Sequence, residues 1–466
     1  MKIFFLFLIT IFTSASLIAQ DFTGQWNGVL KVQGSQLRLV FHVTKTDQGY
    51  SATMDSPDQG AKGIPIANTV FEYPKVNFEI PVAGIQYTGE LKGSEIVGTF
   101  KQGGLEIPMN LSREEIKKIE IKRPQEPAKP YPYYSEDVTF KNTNANLSLS
   151  GTLTLPEKEG VFPAVILITG SGPQNRDEEL LGHKPFLIIS DYLTRNGIAV
   201  LRYDDRGVGQ STGDFNTATT ADFATDVESA IEYLKTRKEI NKRKIGLVGH
   251  SEGGIIAPIV AAKSKDVSFI VLLAGTGIRG DKLLLLQQEL ISRASGISEM
   301  EIKKSLNTNA QLYNLIVQSD DKQKLKSDLT NQLNEIIKND TSFKIPNGMT
   351  KEDFVALQVN QISNSWMNYF IKYDPSKILH KVKCPVLAVN GEKDLQVPPK
   401  ENLTAIKNAL EKGGNNKVTI IEFPGLNHLF QESQTGSPTE YSTIEQTFSP
   451  IALEAVTKWI KMQTKK

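Results

Sequence analysis

The sequence is poor in cysteine and histidine, and it has almost no excess of charge. Cys384 is the single cysteine among 466 residues, and there are five histidines. One thiol forms no internal disulfide and builds neither a zinc finger nor an iron–sulfur cluster. The 53 basic and 52 acidic side chains leave a formal net charge of +1, without the basic excess typical of nucleic-acid binding. We therefore expect no bound metal and no nucleic-acid partner.

The first twenty residues differ from the rest of the chain. Lys2 is followed by a mostly apolar run, Ile3–Phe12, and then by small and polar residues up to Ala19 and Gln20. The run has about ten residues, roughly half of what a membrane-spanning helix needs. This pattern predicts a secretory signal peptide over residues 1–20, with a short membrane anchor as the alternative. We expect a secreted or periplasmic protein without stable membrane insertion.

Residues 21–112 have the pattern of an all-β module. Short runs of alternating polarity recur between turns. In residues 37–44 the odd positions are apolar and most even positions are polar, which is typical of a half-buried strand. We predict eight strands that form a small antiparallel barrel or sandwich. The expected strands are 26–32, 37–44, 50–54, 70–73, 76–80, 85–91, 96–101 and 107–111.

A proline-rich segment separates this module from a region with a different pattern. Four prolines between residues 124 and 132 predict an extended linker over residues 113–135. In residues 136–277, and again in 381–466, nearly continuous apolar runs alternate with amphipathic helical patterns. Such strands indicate a parallel sheet buried on both faces. The predicted fold class is α/β, a doubly wound and mostly parallel sheet, preceded by the all-β module.

Residues 278–380 interrupt the alternation with helical patterns alone. A helical block between two strands of a parallel sheet is most simply a cap over the C-terminal edge of that sheet. The last long pattern, Lys351–Tyr373, predicts a single helix that carries Trp366 and Phe370. These two side chains could line a substrate pocket or simply pack, and the sequence leaves both roles open.

Two Gly-x-Ser-x-Gly patterns occur, one around Ser251 and one around Ser211. Ser251 directly follows the apolar strand 245–248 and precedes a helix of small apolar residues, 253–263. This is the strand–turn–helix context of a nucleophile elbow. Ser211 instead follows its strand by eight residues and leads into a polar loop. We predict Ser251 as a catalytic nucleophile and Ser211 as a loop residue.

A serine nucleophile needs a general base, almost always a histidine that a carboxylate orients. His428 lies in the loop after the last predicted strand, where such a base is needed. The loop after strand 386–389 offers Glu392 and Asp394, of which Asp394 lies farther out. The chain order Ser251, Asp394, His428 is the order expected of one enzyme fold. The remaining histidines lie in the β module, before a helix, beside the nucleophile and at the end of the cap: His42, His183, His250 and His380.

A tetrahedral oxyanion needs two backbone N–H donors. We expect one from Glu252, the residue after the nucleophile. The second should come from the glycine-rich loop Thr169–Pro173, which follows an early strand. We select the Ser171 N–H for this role, with a plain tight turn as the alternative.

At these motifs the chain resembles the α/β-hydrolase family, and within it the secreted bacterial esterases of the dienelactone-hydrolase-like and serine-aminopeptidase-like group. The resemblance covers about residues 137–466 and implies a Ser-His-Asp hydrolase without cofactor and with a helical cap. Thr169 departs from the histidine that many members have before the oxyanion glycine. The motifs that carry the resemblance are TGSGP at 169–173, RYDDRG at 202–207, GHSEG at 249–253, NGEKD at 390–394 and GLNH at 425–428.

The sequence therefore predicts a secreted serine hydrolase that cleaves a small-molecule carboxylic ester through an acyl-enzyme. One alternative is a peptidase of the same fold, which would need a carboxylate in the cap to bind the substrate amine. Glu289, Glu299 and Glu301 are available for that purpose. The alternative from another class is a non-catalytic envelope binding protein that keeps the hydrolase fold. The sequence makes no prediction of the oligomeric state.

Overall fold

The computed structural model describes residues 22–32, 35–59, 61–102, 105–117, 122–340, 345 and 349–465. The predicted signal peptide lies outside these residues. Apart from short stretches beside the gaps, the described chain divides into two compact units, one formed by the residues up to 117 and the other by those from 122 onward. Each unit has its own apolar core.

The first unit is one antiparallel sheet of ten strands. The strands are β1 Gly24–Val32, β2 Ser35–Thr46, β3 Gly49–Ser56, β4 Ala61–Ile66, β5 Asn68–Glu72, β6 Lys75–Ile80, β7 Ile85–Lys92, β8 Glu95–Gln102, β9 Leu105–Pro108 and β10 Leu111–Ser112. They follow the order β4-β3-β2-β1-β10-β8-β7-β6-β5, with β9 paired to β8. Because β5 also lies beside β3, the sheet is barrel-like.

Alternation along the strands builds the core of this unit. Leu39, Phe41 and Val43, at odd positions of β2, are all buried, as a period of two residues requires. Phe41 stacks on Phe78 of β6 with ring centroids 4.9 Å apart. The all-β module predicted from the sequence is confirmed.

The strand count differs from the predicted eight in two places. The sequence does not predict β4, because Gly63 and Pro65 weaken the strand signal in its six residues. The predicted strand 107–111 is divided between β9 and β10.

The second unit contains an eight-stranded sheet in the order β11-β12-β14-β13-β15-β16-β17-β18. These strands are β11 Tyr134–Asn142, β12 Leu147–Leu155, β13 Phe162–Ile168, β14 Ala199–Tyr203, β15 Ile240–His250, β16 Val267–Leu273, β17 Val386–Gly391 and β18 Val418–Phe423. β12 pairs antiparallel with both β11 and β14, and the six strands from β13 to β18 are parallel. Four of the parallel strands are buried along their whole length or nearly so, as expected for a sheet covered on both faces.

Eleven α-helices accompany this sheet in the described residues. They are α1 Pro185–Arg195, α2 Thr220–Thr236, α3 Gly253–Ala261, α4 Gly280–Ala294, α5 Glu299–Gln318, α6 Lys322–Asn339, α7 Lys351–Ser363, α8 Ser365–Lys372, α9 Ser376–Leu379, α10 Pro399–Lys412 and α11 Pro450–Thr464. One apolar cluster packs α1 and α11 against one face of the sheet. Another packs α2, α3 and α10 against the opposite face. The predicted doubly wound, mostly parallel architecture is confirmed.

The helices α4 to α9 lie between β16 and β17, in the region where the sequence predicts a cap. The helices α4 to α8 share a small apolar core of their own, which includes Leu312, Leu329 and Val359. The prediction of a single helix over Lys351–Tyr373 is wrong, because α7 ends at Ser363 and Asn364 separates it from α8. The Asn364 side chain accepts a hydrogen bond from a backbone N–H of the next turn and starts α8 as a separate helix.

The proline-rich segment is tied to the second unit. The Arg123 guanidinium donates to the Ile444 carbonyl oxygen at 2.6 Å and to the Leu181 carbonyl oxygen at 3.0 Å. The Gln125 amide donates to the Phe448 carbonyl oxygen at 2.6 Å. Within the described residues, no helix is both long and apolar enough to cross a bilayer.

Candidate active site

Ser251 lies on a strained turn between β15 and α3. Its φ of 50° falls in the left-handed region that residues other than glycine rarely adopt. A Cβ at Gly249 would lie 2.0 Å from the Gly253 carbonyl oxygen, and a Cβ at Gly253 would lie 2.2 Å from the Ile168 carbonyl oxygen. Glycine is therefore required on both sides of Ser251, and the turn has the form of a nucleophile elbow.

Ser211, in the second Gly-x-Ser-x-Gly pattern, has a structural role. Its hydroxyl donates to the Asp204 carbonyl oxygen at 2.7 Å and accepts the Ser150 backbone N–H at 2.9 Å. The residue is 7% exposed. The two hydrogen bonds hold its loop against β12 and against the residue that follows β14, in agreement with the prediction of a loop serine.

His428 and Asp394 meet in the loops that follow β18 and β17. Nδ1 of His428 lies 2.8 Å from Oδ2 of Asp394, and both side chains are buried. Oδ1 of Asp394 accepts the backbone N–H groups of Gln396 and Val397, each at 2.8 Å. These donors fix the carboxylate, and the carboxylate in turn holds the imidazole by its Nδ1 atom. Glu392, the other carboxylate in this loop, is exposed.

His428 lies beside the nucleophile turn. Its backbone carbonyl accepts a hydrogen bond from Nε2 of His250 at 3.0 Å, and the two imidazole centroids are 4.9 Å apart. In the described part of the chain, the Ser251 hydroxyl forms no hydrogen bond with His428. In enzymes without bound substrate this contact is often long and shortens in the complex.

The three other histidines are occupied elsewhere. His42, in the first unit, lies 3.0 Å from a carboxylate oxygen of Asp55. His183 is buried with one ring nitrogen 2.8 Å from the Tyr441 carbonyl oxygen, and burial lowers the pKa of its imidazole to about 4. His380 is exposed at the end of α9.

The loop after β13 passes directly beside the nucleophile. A Cβ at Gly170 would lie 3.3 Å from the Ser251 Cβ. The Gly170 N–H donates to the Glu178 carboxylate at 2.7 Å and is therefore occupied. The backbone N–H groups of Ser171 and Glu252 have no acceptor among the described residues. These two N–H groups are the ones that the sequence analysis assigned to the oxyanion.

Thr169 and Asp205 hold in place the glycine-rich loop Thr169–Pro173, which we call the oxyanion loop after its predicted role. The Thr169 hydroxyl donates to Oδ1 of Asp205 at 2.8 Å, and the Gln174 N–H donates to Oδ2 at 2.9 Å. Burial raises the pKa of the Asp205 carboxyl to about 8. One buried carboxyl thus anchors both ends of the loop that carries Ser171.

The Glu252 side chain connects the nucleophile turn to the cap. Its carboxylate is 3% exposed and accepts hydrogen bonds from the Thr220 hydroxyl at 2.6 Å and from the Trp366 indole N–H at 2.8 Å. Burial raises the pKa of Glu252 above its usual range, although both hydrogen bonds favour the charged form. Trp366 lies on α8, so this bond joins the eight-residue helix α8 of the cap to the residue that follows Ser251.

The two residues predicted for a substrate pocket lie one turn apart on α8. Trp366 and Phe370 stack with ring centroids 5.1 Å apart. Phe370 is 7% exposed and belongs to the core of the second unit, against which Trp366 also packs. The structure therefore gives both residues packing contacts, and their role in a pocket stays a prediction.

The three cap glutamates that an amine-binding peptidase could use have partners within the cap. Arg293 donates to Glu289 at 3.0 Å and to Glu299 at 2.7 Å. Glu301 accepts the hydroxyl and the backbone N–H of Ser298, with which it forms a capping box at the start of α5. Their carboxylates are thus occupied at the surface of the cap.

The metal-binding residue types do not cluster. Among the residues that the structure describes, no group of three or more His, Cys, Asp or Glu side chains could hold a metal ion. Burial raises the pKa of the Cys384 thiol to about 11, so this side chain lacks the thiolate character of a nucleophile.

The structure adds two residues that the sequence analysis left without a role. Nδ1 of His250 lies 2.9 Å from Oε1 of Glu178, the same oxygen that accepts the Gly170 N–H. The sequence places His250 next to Ser251 on a tight turn, where neighbouring side chains point apart, and so predicts no role for it. Glu178 carries no motif, and its one signal is a charged run, RDEE at 176–179, directly after the oxyanion loop.

Comparison with protein families gives one match. The model described as "Serine aminopeptidase, S33" matches residues 186–434, more than half of the chain. The matched span includes Ser251, Asp394 and His428, and it begins after Ser171 and Glu178.

Two curated relatives match a similar share of the chain. Esterase EstD of Thermotoga maritima is 27% identical over 317 residues, which cover 66% of this chain and 65% of that protein. The chain therefore spans slightly less than two thirds of this relative. An uncharacterized 31.7 kDa protein of Escherichia coli is 24% identical over 330 residues, which cover 69% of this chain and 99% of that protein.

Solved structures were found at lower sequence identity. The α/β hydrolase GrgF from Penicillium sp. sh18 is 16% identical, with a TM-score of 0.45, and the match covers 72% of this chain and 100% of that one. Est1E from Butyrivibrio proteoclasticus with bound ferulic acid is 17% identical, with a TM-score of 0.41, and the match covers 71% of this chain and 100% of that one.

Proposed function

The chain belongs to the α/β-hydrolase family described as serine aminopeptidase S33, and from this membership we propose that it is a serine hydrolase that cleaves carboxylic esters. The observation that carries the proposal is the buried His428–Asp394 pair, with a 2.8 Å contact, in a loop hydrogen-bonded to the strained turn of Ser251. A fixed carboxylate–imidazole pair beside a serine on a strained turn is the machinery of acyl transfer.

In the proposed reaction, Oγ of Ser251 attacks the ester carbonyl while Nε2 of His428 takes the hydroxyl proton. The N–H groups of Ser171 and Glu252 stabilise the oxyanion, and Asp394 stabilises the imidazolium. The C–O bond to the alcohol then breaks, the alcohol receives the proton from His428, and the acyl group remains on Ser251. His428 then takes a proton from water, which attacks the acyl-enzyme. The bond between the acyl group and Oγ of Ser251 breaks, the carboxylic acid leaves, and His428 gives the proton to Oγ.

Ester cleavage is favoured over aminopeptidase activity by the partners of the three cap glutamates that the sequence offers for amine binding. A carboxylate that already holds another partner is less available to a substrate ammonium group. Glu289 and Glu299 already pair with Arg293, and Glu301 is engaged in a helix cap. The Thermotoga relative, whose name is esterase, supports the same choice.

The test compares p-nitrophenyl esters of increasing acyl length with aminoacyl p-nitroanilides as substrates for the wild type, Ser251→Ala and Ser211→Ala. We expect the wild type to cleave esters and Ser251→Ala to lose about 10⁴-fold or more in kcat. Ser211→Ala is the matched control, since it removes the serine of the other Gly-x-Ser-x-Gly pattern. It should melt at a lower temperature, because it loses two buried hydrogen bonds, and keep its ester turnover.

Two results would count against this proposal. Preference for aminoacyl anilides over every ester would favour the peptidase. A folded wild type that turns over neither class and does not react with a fluorophosphonate would favour the non-catalytic binding protein.

We also propose that the protein is secreted or periplasmic. The support is the short apolar run after Lys2 in the first twenty residues. N-terminal sequencing of protein recovered from the periplasm or the medium should find a mature chain that begins near residue 20 or 21. An uncleaved chain that stays in the cytoplasm would contradict this localisation.

A further inference from the structure

We propose that Glu178 and His250 form a buried ion pair that positions both the oxyanion loop and the loop of His428 around Ser251. This inference rests on the proposed function, because it assigns positioning roles within that active site. Neither residue is expected to touch the substrate. Their action is to hold the groups that do.

Glu178 reaches the oxyanion loop from a constrained backbone. Its φ of 51° lies in the left-handed region, and its side chain is 6% exposed. Oε1 accepts the Gly170 N–H at 2.7 Å and faces Nδ1 of His250 at 2.9 Å. One carboxylate oxygen therefore binds the residue before Ser171 and the residue before Ser251.

His250 extends this contact to the general base. Its Nε2 lies 3.0 Å from the His428 carbonyl oxygen. A carbonyl oxygen only accepts hydrogen bonds, so Nε2 carries a proton. The chain of contacts runs from Gly170 through Glu178 and His250 to the backbone of His428, and it links the three loops that supply the oxyanion donor, the nucleophile and the base.

The same geometry favours an imidazolium at His250. Nδ1 faces a carboxylate oxygen that already accepts the Gly170 N–H, so a proton on Nδ1 completes the charge-assisted pair. Burial alone lowers the pKa of His250. The Glu178 carboxylate, the His428 carbonyl and the more distant Asp394 outweigh burial and leave that pKa above its usual value. Because the pair is neutral overall, it adds little repulsion toward an imidazolium at His428.

The charge state can be measured in the unmodified protein. Selective ¹⁵N labelling of the five histidines, with His250→Gln to assign the signal, reports the protonation of each ring nitrogen. We expect both nitrogens of His250 to carry protons at neutral pH. A neutral His250 with one unprotonated nitrogen would overturn the ion pair, and this measurement does not depend on the folding of any Glu178 variant.

The positioning role is tested by Glu178→Gln, which keeps an acceptor for Gly170 and removes the charge. Its matched control is Glu179→Gln, which changes the adjacent glutamate, an exposed residue with one weak contact to Asn175 at 3.3 Å. Rates are expressed per active site titrated with a fluorophosphonate, so that loss of folded protein does not count as loss of rate. We expect kcat of Glu178→Gln to fall about 10–100-fold with KM nearly unchanged, because a small displacement of an oxyanion donor is felt in the transition state.

A double-mutant cycle distinguishes a shared role from two separate defects. If Glu178 and His250 act as one unit, Glu178→Gln combined with His250→Gln should lose no more kcat than the worse single variant. Additive losses, or a Glu178→Gln variant with the kcat of Glu179→Gln, would overturn the inference. Failure of the proposed function has a different signature, since the wild type itself would then not react with the fluorophosphonate.

Discussion

Ser251 keeps a left-handed backbone conformation that costs stability, since a non-glycine residue pays about 1–2 kcal/mol there. Glycine adopts the same φ without that cost. We therefore predict that Ser251→Gly is more stable than Ser251→Ala by about 1 kcal/mol in urea unfolding, while both lack ester turnover. An Ala variant as stable as the Gly variant would show that the turn stores no strain.

His183 makes the stability of the protein depend on pH. The pKa of its imidazole is about 4 in the folded chain, whereas an unfolded histidine has a pKa of about 6.5. Between these values the unfolded chain binds a proton that the folded chain does not, so the free energy of unfolding decreases as the pH falls from about 6.5 to about 4.

We predict that the Tm of His183→Gln falls less than the Tm of the wild type when the pH is lowered from about 7.5 to about 4.5. His380→Gln, which changes an exposed histidine, should lose as much Tm as the wild type. An equal pH dependence of Tm in all three proteins would show that His183 does not cause the loss of stability at low pH.

At the scale of elements, one hydrogen bond connects α8 of the cap to the nucleophile turn. Trp366→Phe keeps the stacking on Phe370 and removes the indole N–H that binds the Glu252 carboxylate. Leaving a buried carboxylate with one donor fewer costs about 1–3 kcal/mol. We predict a lower Tm together with a changed ratio of kcat/KM between short and long acyl esters. The reason is that α8 loses its hydrogen bond to Glu252 and can shift relative to Ser251.

Trp459→Phe is the matched control for this prediction. It removes an indole N–H that donates to the Thr419 hydroxyl at 3.1 Å, between α11 and β18. Its Tm should also fall, while its preference among esters stays that of the wild type. The same unchanged preference in Trp366→Phe would show that α8 only packs.

Elements with a strong local pattern were predictable from the sequence, and those that depend on a single side chain were not. β17 begins at Val386, where the predicted strand 386–389 begins, because its apolar residues are consecutive and all buried. The division of α7 from α8 escaped prediction, since the apolar periodicity continues through Asn364 and only its cap contact breaks the helix. β4 was missed for the opposite reason, because its pairing with β3 overrides a weak local preference.

At the scale of the whole molecule, every residue of the proposed site lies in the second unit. Phe78→Ala removes a large side chain from the core of the first unit and should destabilise that unit by about 3–5 kcal/mol. We predict that calorimetry then shows one transition at lower temperature while ester kcat/KM is retained. Phe269→Ala, in the core of the second unit, should lower the other transition. Loss of turnover in Phe78→Ala below its transition would mean that the first unit takes part in catalysis.

The proposed reacting groups of the site could be selected from the sequence, whereas the residues that contact them could not. Ser251, Asp394 and His428 could be selected because each follows a strand of one parallel sheet, where the carboxyl ends of the strands converge. The roles of Glu178 and Trp366 depend on loops and helices that meet only in the folded chain. No spacing in the sequence indicates that Glu178 reaches Gly170 or that Trp366 reaches Glu252.

The most direct test of the central claim is to trap the acyl-enzyme on Ser251. The protein is mixed with a short p-nitrophenyl ester, quenched in acid within the first turnovers, digested with trypsin and examined by mass spectrometry. The tryptic peptide 245–263 contains Ser251 as its one hydroxyl side chain. We predict that this peptide gains the mass of the acyl group, that it does so in Ser211→Ala, and that Ser251→Ala gains none. Acylation of another peptide, or ester turnover that persists in Ser251→Ala, would contradict the proposed mechanism.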